Sequence, residues 1–216
     1  MLASGVENIN VVTGDHFWPH VRALCEELRR AGCGVPMLFN CSGYVLAERV
    51  PEMAEFIDIF LPDFNFADPD LAQTCMGDRR YPEIAMAAVR EMVRLKGFLC
   101  PWDETGAQPA QSGTLIRHLV LPGHVENSLE VIRRLHDAFG PELPLSVMSQ
   151  FTPTESCHSR GKLCRRLKQA EYEQVFDLVE ELGFERVFLQ MDLGDDDFMP
   201  DFDSDAPFAG NVREHG

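Results

Sequence analysis

Six short apolar runs, separated for the most part by stretches with helical spacing, constrain this chain more than any other feature. The runs are "INVV" (9–12), "VPMLF" (35–39), "FIDIFL" (56–61), "TLIRHLVL" (114–121), "LSVM" (145–148) and "VFL" (187–189). They are nearly continuous rather than alternating, the pattern of strands in a parallel sheet covered by helices. Between the first two, Phe17, Val21, Leu24, Cys25, Leu28 and Ala31 recur at helical spacing, and Gly32 supplies a stop. Pro82 opens a second helix, with Ile84, Ala85, Ala88, Val89 and Met92 on one side and Gly97 at its end. A third is expected from Asn127, where Glu130 three residues on resembles a capping box, through Leu129, Ile132, Leu135 and Phe139 to Gly140. A fourth uses Tyr172, Val175, Phe176, Val179 and Leu182 and stops at Gly183. This alternation predicts an α/β protein of parallel βα units, closed as a barrel or open as a sheet.

With 216 residues the chain can bury one sizeable core. Residues 1–191 read as one domain, followed by a tail, 192–216, with clustered aspartates. The aspartates from 192 to 205 lack the register of a calcium loop, with its central glycine and final glutamate, and read as a solvated segment. Two loops interrupt the pattern: 98–113, rich in Pro, Gly and Gln, and 152–166, which ends basic.

In parallel α/β folds, functional groups collect just past the C-terminal ends of strands. Reading those positions in turn gives Thr13, Asp15 and His16, then Asn40 and Ser42, then Asp63 and Asn65. Arg117 and His118 lie within the fourth run, Gln150 follows the fifth, and Gln190 and Asp192 follow the sixth. Together they form a polar rim suited to a polar small molecule. Carboxylates and amides accept from an amino group or ribose hydroxyls, and Arg117 can pair with a carboxylate. Any α/β protein also has wet, polar strand ends, so position alone leaves both readings open. Arg117 and His118 are adjacent in a strand, so one faces the helices as a core histidine would and the other does not.

Other chemistries are poorly supported. The net charge is −16, from 35 acids against 19 bases, and such a surface repels a nucleic-acid backbone. No apolar run reaches the roughly 20 residues of a membrane span, and the N-terminus lacks a secretory pattern, so the expected location is the cytoplasm. The seven cysteines have no two- or three-residue spacing, which argues for reduced thiols in or near the core over a metal clip. His16 and His20, four residues apart and beside Asp15, could begin a metal site, but no further ligand is evident. No nucleophile elbow, phosphate loop or dinucleotide fingerprint is present. The first strand starts only a few residues after Met1, and a barrel strand needs neighbours on both sides, so the chain reads as cut at its front.

Seven blocks carry a resemblance: "ENINVVTGDHF", "VPMLFNCSGY", "IDIFLPDFNF", "YPEIAMAAVREM", "IRHLVLPGH", "SVMSQFTP" and "EYEQVFDLVEELGFERVFLQ". In this order they resemble the C-terminal two-thirds of radical S-adenosylmethionine (SAM) proteins related to pyruvate formate-lyase activating enzyme, in the branch described as its iron–sulfur homologue. The resemblance implies a partial (β/α) barrel, here lacking its first βα unit. It implies SAM and a 4Fe-4S cluster as cofactors, with reductive cleavage of SAM to a 5′-deoxyadenosyl radical that abstracts hydrogen. It further implies an electron donor and a protein substrate of the glycyl-radical type as partners. The family's cluster-binding cysteine loop, C-x-x-x-C-x-x-C, does not occur in this sequence, so the chain as written is expected to be inactive by itself. By the same resemblance, Thr13, Asp15 and His16 stand where many members carry a GGE-like motif for the SAM amino group. Asn40 and Ser42 would lie near the ribose or methionine part, Asp63 would accept from SAM, Arg117 would face its carboxylate or the substrate, and Gln150 would close the far side. Where related sequences carry lysine two residues after the aspartate, this chain has Asn65, which removes a charge. The alternative reading is a cluster-less α/β protein that binds a small ligand or a partner.

Overall fold

The computed structural model describes residues 6–100 and 109–190. Seven strands are all parallel: β1 (Ile9–Val12), β2 (Met37–Cys41), β3 (Ile59–Pro62), β4 (Gly113–Thr114), β5 (Ile116–Leu119), β6 (Leu145–Met148) and β7 (Val187–Leu189). They pair as two sheets, β1-β2-β3-β4 and β5-β6-β7. The helices are α1 (Trp18–Arg30), α2 (Val50–Ala54), α3 (Pro69–Met76), α4 (Tyr81–Lys96), α5 (Val125–Phe139), α6 (Glu155–Arg160) and α7 (Gln169–Glu181).

Strand order follows chain order throughout. Crossovers between parallel strands are right-handed, so a chain that always steps the same way across a sheet lays every crossover on one face. Burial follows this rule. On the helix side, Met37, Phe39 and Cys41 of β2 and Phe60 of β3 pack with Trp18, Val21 and Cys25 of α1 and Ala88 and Met92 of α4. Ile116, Leu145 and Val147 pack with Val131, Ile132 and Leu135 of α5 and Tyr172, Val175 and Val179 of α7. The opposite face holds Leu38, Asn40, Leu61, Asp63, Leu115, Arg117, Leu119, Ser146 and Met148, each half-buried. Val12 and Phe188 at its margins are 60% and 46% exposed. The expectation of a sheet covered by helices therefore holds for one face only.

The α/β reading and the six apolar runs are recovered, with shifts. β2 extends through Cys41, so Asn40 lies inside the strand rather than after it. The fourth run divides at Leu115 into β4 and β5, because the chain changes partners there: Leu115 N donates to Phe60 O, and Ile116 N donates to Pro144 O. The short helices α2, α3 and α6 have no long apolar period and were not anticipated. The tail 192–216, its aspartates and Asp192 lie outside the described residues, as do residues 101–108 of the first long loop.

One helix start differs for a reason that bears on the site. α5 begins at Val125, two residues before Asn127, and its N-cap His124 makes no side-chain cap. Asn127 is buried and turns instead to the segment after β3. Its Oδ1 accepts from Ala67 N at 2.8 Å and Asp68 N at 3.1 Å, and its Nδ2 donates to Asn65 O at 2.9 Å. A connecting segment held against the core must have its backbone groups paired, and this side chain supplies three partners. Replacing it leaves buried groups unsatisfied at about 1–3 kcal/mol each, partly relieved by relaxation. Asn127→Ala is expected to lower unfolding free energy by about 2–4 kcal/mol in urea titration, whereas an exposed change on the same helix, Arg133→Ala, stays within about 0.5 kcal/mol.

Candidate functional site

At the C-terminal edge of the sheet, β3 ends in a carboxylate and β5 carries a guanidinium beside it. Asp63 and Arg117 are bridge partners, and Phe64 N donates to Arg117 O at 2.8 Å. Pairing in register places both side chains on the face away from the helices. Arg117 Nε stands 3.3 Å from Asp63 Oδ1, with the two side chains 21% and 24% exposed. The alignment is that of an ion pair without a hydrogen bond, and Asp63 Oδ1 is buried with no hydrogen-bond partner. Burial raises the Asp63 pKa from its ordinary 3.8 to about 6; Arg117 opposes the shift and the nearby Asp15 carboxylate adds to it. Arg117 Nη2 also reaches Met148 Sδ at 3.7 Å.

Asp15 is the second acid of this edge. It opens a single 3-10 turn, Asp15–Phe17, directly after β1. Both its carboxylate oxygens are buried without a hydrogen-bond partner. Burial raises its pKa, while the backbone N–H groups of Asp15 and Ser42, near but outside hydrogen-bond geometry, and the His16 side chain favour its charged form. Thr13 just before it has φ of 54°, a left-handed conformation costly for a β-branched residue, held by donation of its N–H to Asn40 O at 2.9 Å. Thr13, Asp15, His16 and Ser42 line one cavity of about 480 Å³ with Trp18, Tyr44 and Arg49.

The sequence-predicted residues thus divide. Thr13, Asp15, His16 and Ser42 share that cavity, and Asp63 with Arg117 adjoins it through Asp15. Asn40 lies on the same sheet face as Asp63, one strand away, without lining the cavity. Gln150, past the end of β6, does not line the cavity; its Nε2 reaches Met148 Sδ at 3.8 Å, the atom Arg117 also contacts. His118 points into the helix-side core. Its Nδ1 donates to Phe64 O at 3.0 Å, Nε2 has no partner, and burial depresses its pKa to about 4, the properties of a neutral core histidine rather than a base near pH 7. Asn65 is a stitch: its Oδ1 accepts from Leu119 N at 2.8 Å, tying the end of β3 to the end of β5. Among the described residues no three His, Cys, Asp or Glu side chains are grouped to hold a metal ion.

Two residues that hold the edge escaped the sequence reading. The Tyr81 hydroxyl lies 3.1 Å from Ser42 O and 2.9 Å from Asp63 O, and accepts from Asn65 N at 3.2 Å. Gly43 has φ of 71°, and a Cβ there would stand 2.1 Å from Asp63 O. The loop after β2 can therefore lie against the end of β3 only because residue 43 lacks a side chain. The Ser-Gly pair in "NCSGY" was the available signal for this turn. Tyr81, at the head of α4, carried no signal beyond Pro82 beside it. A second cavity of about 450 Å³ lies between α3 and residues 161–163, lined by Cys75, His124 and Lys162 among others.

No family model matches the chain. An uncharacterized protein of Methanocaldococcus jannaschii is 22% identical over 182 residues, which cover 84% of this chain and 48% of that protein. The chain therefore spans about half the length of this curated relative. Among solved structures, the crystal structure of a domain of pyruvate-formate lyase-activating enzyme from Bacteroides vulgatus superposes with a TM-score of 0.54 at 14% identity, covering 84% of this chain and 98% of that one. At this identity the likeness is one of fold: a mixed α/β arrangement with parallel sheets.

The Asp63 environment sets a pH dependence. Its folded pKa of about 6 exceeds the ordinary 3.8, so the folded state binds this proton more tightly than the unfolded state. The resulting stability is fully present below about pH 4 and is lost as pH rises through about 6. Relative to Asp63→Asn, the natural chain is expected to lose stability across that window, by up to about 1.4 kcal/mol per pH unit. Urea midpoints of both proteins at a series of pH values check this, and a constant difference would refute the buried-acid assignment. A Gly43→Ala change is expected to cost about 2 kcal/mol or more in the same assay, from the clash and the left-handed backbone.

Proposed function

We propose that this chain is the ligand-holding part of a radical SAM protein of the pyruvate formate-lyase activating enzyme type. In this reading the parallel strands are a sector of a (β/α) barrel. Strands in strict chain order with helices on one face support it, as does the fold likeness to the activating-enzyme domain. The observation that carries the ligand assignment is the Asp63–Arg117 pair beside the buried, unpartnered Asp15 carboxylate. Two acids are acceptors for an ammonium group or ribose hydroxyls, and a guanidinium is a donor for a carboxylate. SAM presents those three groups together.

The described residues do not fit the iron–sulfur cluster that the family uses. No cysteine trio is grouped among them, and Cys41, nearest the acids, has its thiol pushed up by burial. No radical step is assigned to these side chains. An electron donor and a protein substrate are proposed as partners of the whole protein, with no described residue assigned to contact either. No described helix is long and apolar enough to cross a membrane. The absence of a cysteine trio also favours a second reading, a cluster-less α/β protein that binds a polar small ligand.

Calorimetric titration with SAM tests the assignment. Saturable binding is expected, weakened at least tenfold by Arg117→Ala and by Asp15→Asn. Equal affinity in both variants, with circular dichroism unchanged, would remove the site from the sheet edge. The intact mass of the native protein, with its upstream sequence, separates the two readings: a longer protein carrying a C-x-x-x-C-x-x-C loop is expected for the radical SAM protein, and SAM binding by a native protein without such a loop favours the cluster-less one.

A further inference from the structure

The segment after β6 carries a second chemical feature, independent of the ligand at the sheet edge. Cys75, near the C-terminal end of α3, and Cys157, in α6, border one cavity of about 210 Å³ with Thr74, Thr154 and Lys162. Cys157 stands near enough to act electrostatically on the Cys75 thiol. The two residues are 82 positions apart in sequence and come from the connections after β3 and after β6. The Thr154 hydroxyl donates to Cys157 Sγ at 3.4 Å. Burial and the neighbouring Cys157 raise the Cys75 pKa, and the Lys162 ammonium opposes them, which leaves Cys157 to react first and Cys75 to resolve.

The segment bearing Cys157 is anchored on one side only a few residues further on. Arg165 pairs doubly with Glu171, at 2.7 Å for both contacts, and Glu171 also accepts from Gly123 N at 2.7 Å. Between that anchor and α6, Gly161 and Leu163 have positive φ, of 63° and 55°. Disulfide geometry requires Cα atoms roughly 4.4–6.8 Å apart. Rotation about this short connection is the available way to bring α6 onto α3.

We propose that Cys75 and Cys157 form a reversible disulfide on exposure to a peroxide, pinning the segment after β6 to α3 beside the open edge of the sheet. The Cys157 thiol ionises, its thiolate attacks the peroxide, the O–O bond breaks, and a sulfenic acid forms while the leaving hydroxide takes the thiol's proton as water. The Cys75 thiolate then attacks that sulfur; the S–S bond forms, the S–O bond breaks, and the leaving hydroxide takes a proton as a second water. The two sulfurs give up two electrons and the peroxide is reduced. A dithiol reverses the bond by exchange.

The competing partner is Cys164, whose thiol donates to Cys157 O at 3.3 Å within the same segment. The full chain, folded and reduced, is treated with one equivalent of hydrogen peroxide, blocked with N-ethylmaleimide and mapped by mass spectrometry without reduction. The expected product is a Cys75–Cys157 cross-linked peptide, released by dithiothreitol, and retained in Cys164→Ser. Trypsin cleavage after Lys162 should be at least tenfold slower in the oxidised protein, and unchanged by oxidation in Cys75→Ser. A Cys157–Cys164 bond as the main product overturns the proposal. So does sulfinic acid at Cys157 with Cys75 still free to react with the maleimide.

Discussion

The structure turns on one seam, where the end of β3 meets the strand formed by residues 113–119. Leu115 N donates to Phe60 O, and Phe64 N donates to Arg117 O, so the same backbone that closes the first sheet continues into the second. Without those bonds the β1-β2-β3-β4 and β5-β6-β7 sheets share no ladder. The seam also sets the chemistry. Strand pairing in register requires that Asp63 and Arg117 emerge on the same face, and alternation requires that His118 turn the other way into the core. A one-residue slip would exchange them, burying a guanidinium under α5 and presenting an imidazole at the edge.

Much of the surrounding construction serves to hold that seam. Tyr81 from α4 and Asn127 from α5 pair backbone groups of residues 63–68, the Asn65 side chain ties that segment to Leu119 N, and Gly43 allows the preceding loop to close on it. These groups are uncharged or far from titrating, so the scaffold around the acids is insensitive to pH near neutrality. The acids are not. Asp63 and Asp15 are both held above their ordinary pKa by burial, and the Asp15 carboxylate adds to the cost of ionising Asp63. A site with two costly carboxylates and one guanidinium favours whatever brings positive charge and hydrogen-bond donors to it. Like-charged acids kept close in a fold are otherwise a loss in stability, which is the physical case for a ligand at this edge.

The fold likeness and the site argument are separate supports. The activating-enzyme domain shares the α/β arrangement at 14% identity, and many activities share such arrangements. What the side chains add is a donor and acceptor set of a particular kind, placed where parallel α/β proteins bind ligands. What they withhold is a metal-binding group among the described residues.

By itself the sequence determined the architecture and the addresses of the polar groups. Apolar runs of four to eight residues alternating with amphipathic helices admit few folds other than parallel βα units, because each run must bury one face and each helix must cover it. Placing Asp15, Ser42 and Asp63 at strand ends followed from that alone, as did the opposite facing of Arg117 and His118. Only the tertiary structure decided which of those addresses meet. Gln150 does not line the cavity that Asp15 lines although both follow strands, and Asn40 lies within a strand, since boundaries depend on cross-strand hydrogen bonds that no local pattern records. Asn127 looked like a helix cap and serves a buried loop 60 residues away, because an unpaired amide in the core costs more than an uncapped helix end in water. The open face was equally hidden. A strand's apolar content says that it is buried somewhere, and only strand order and the hand of the crossovers say on which side.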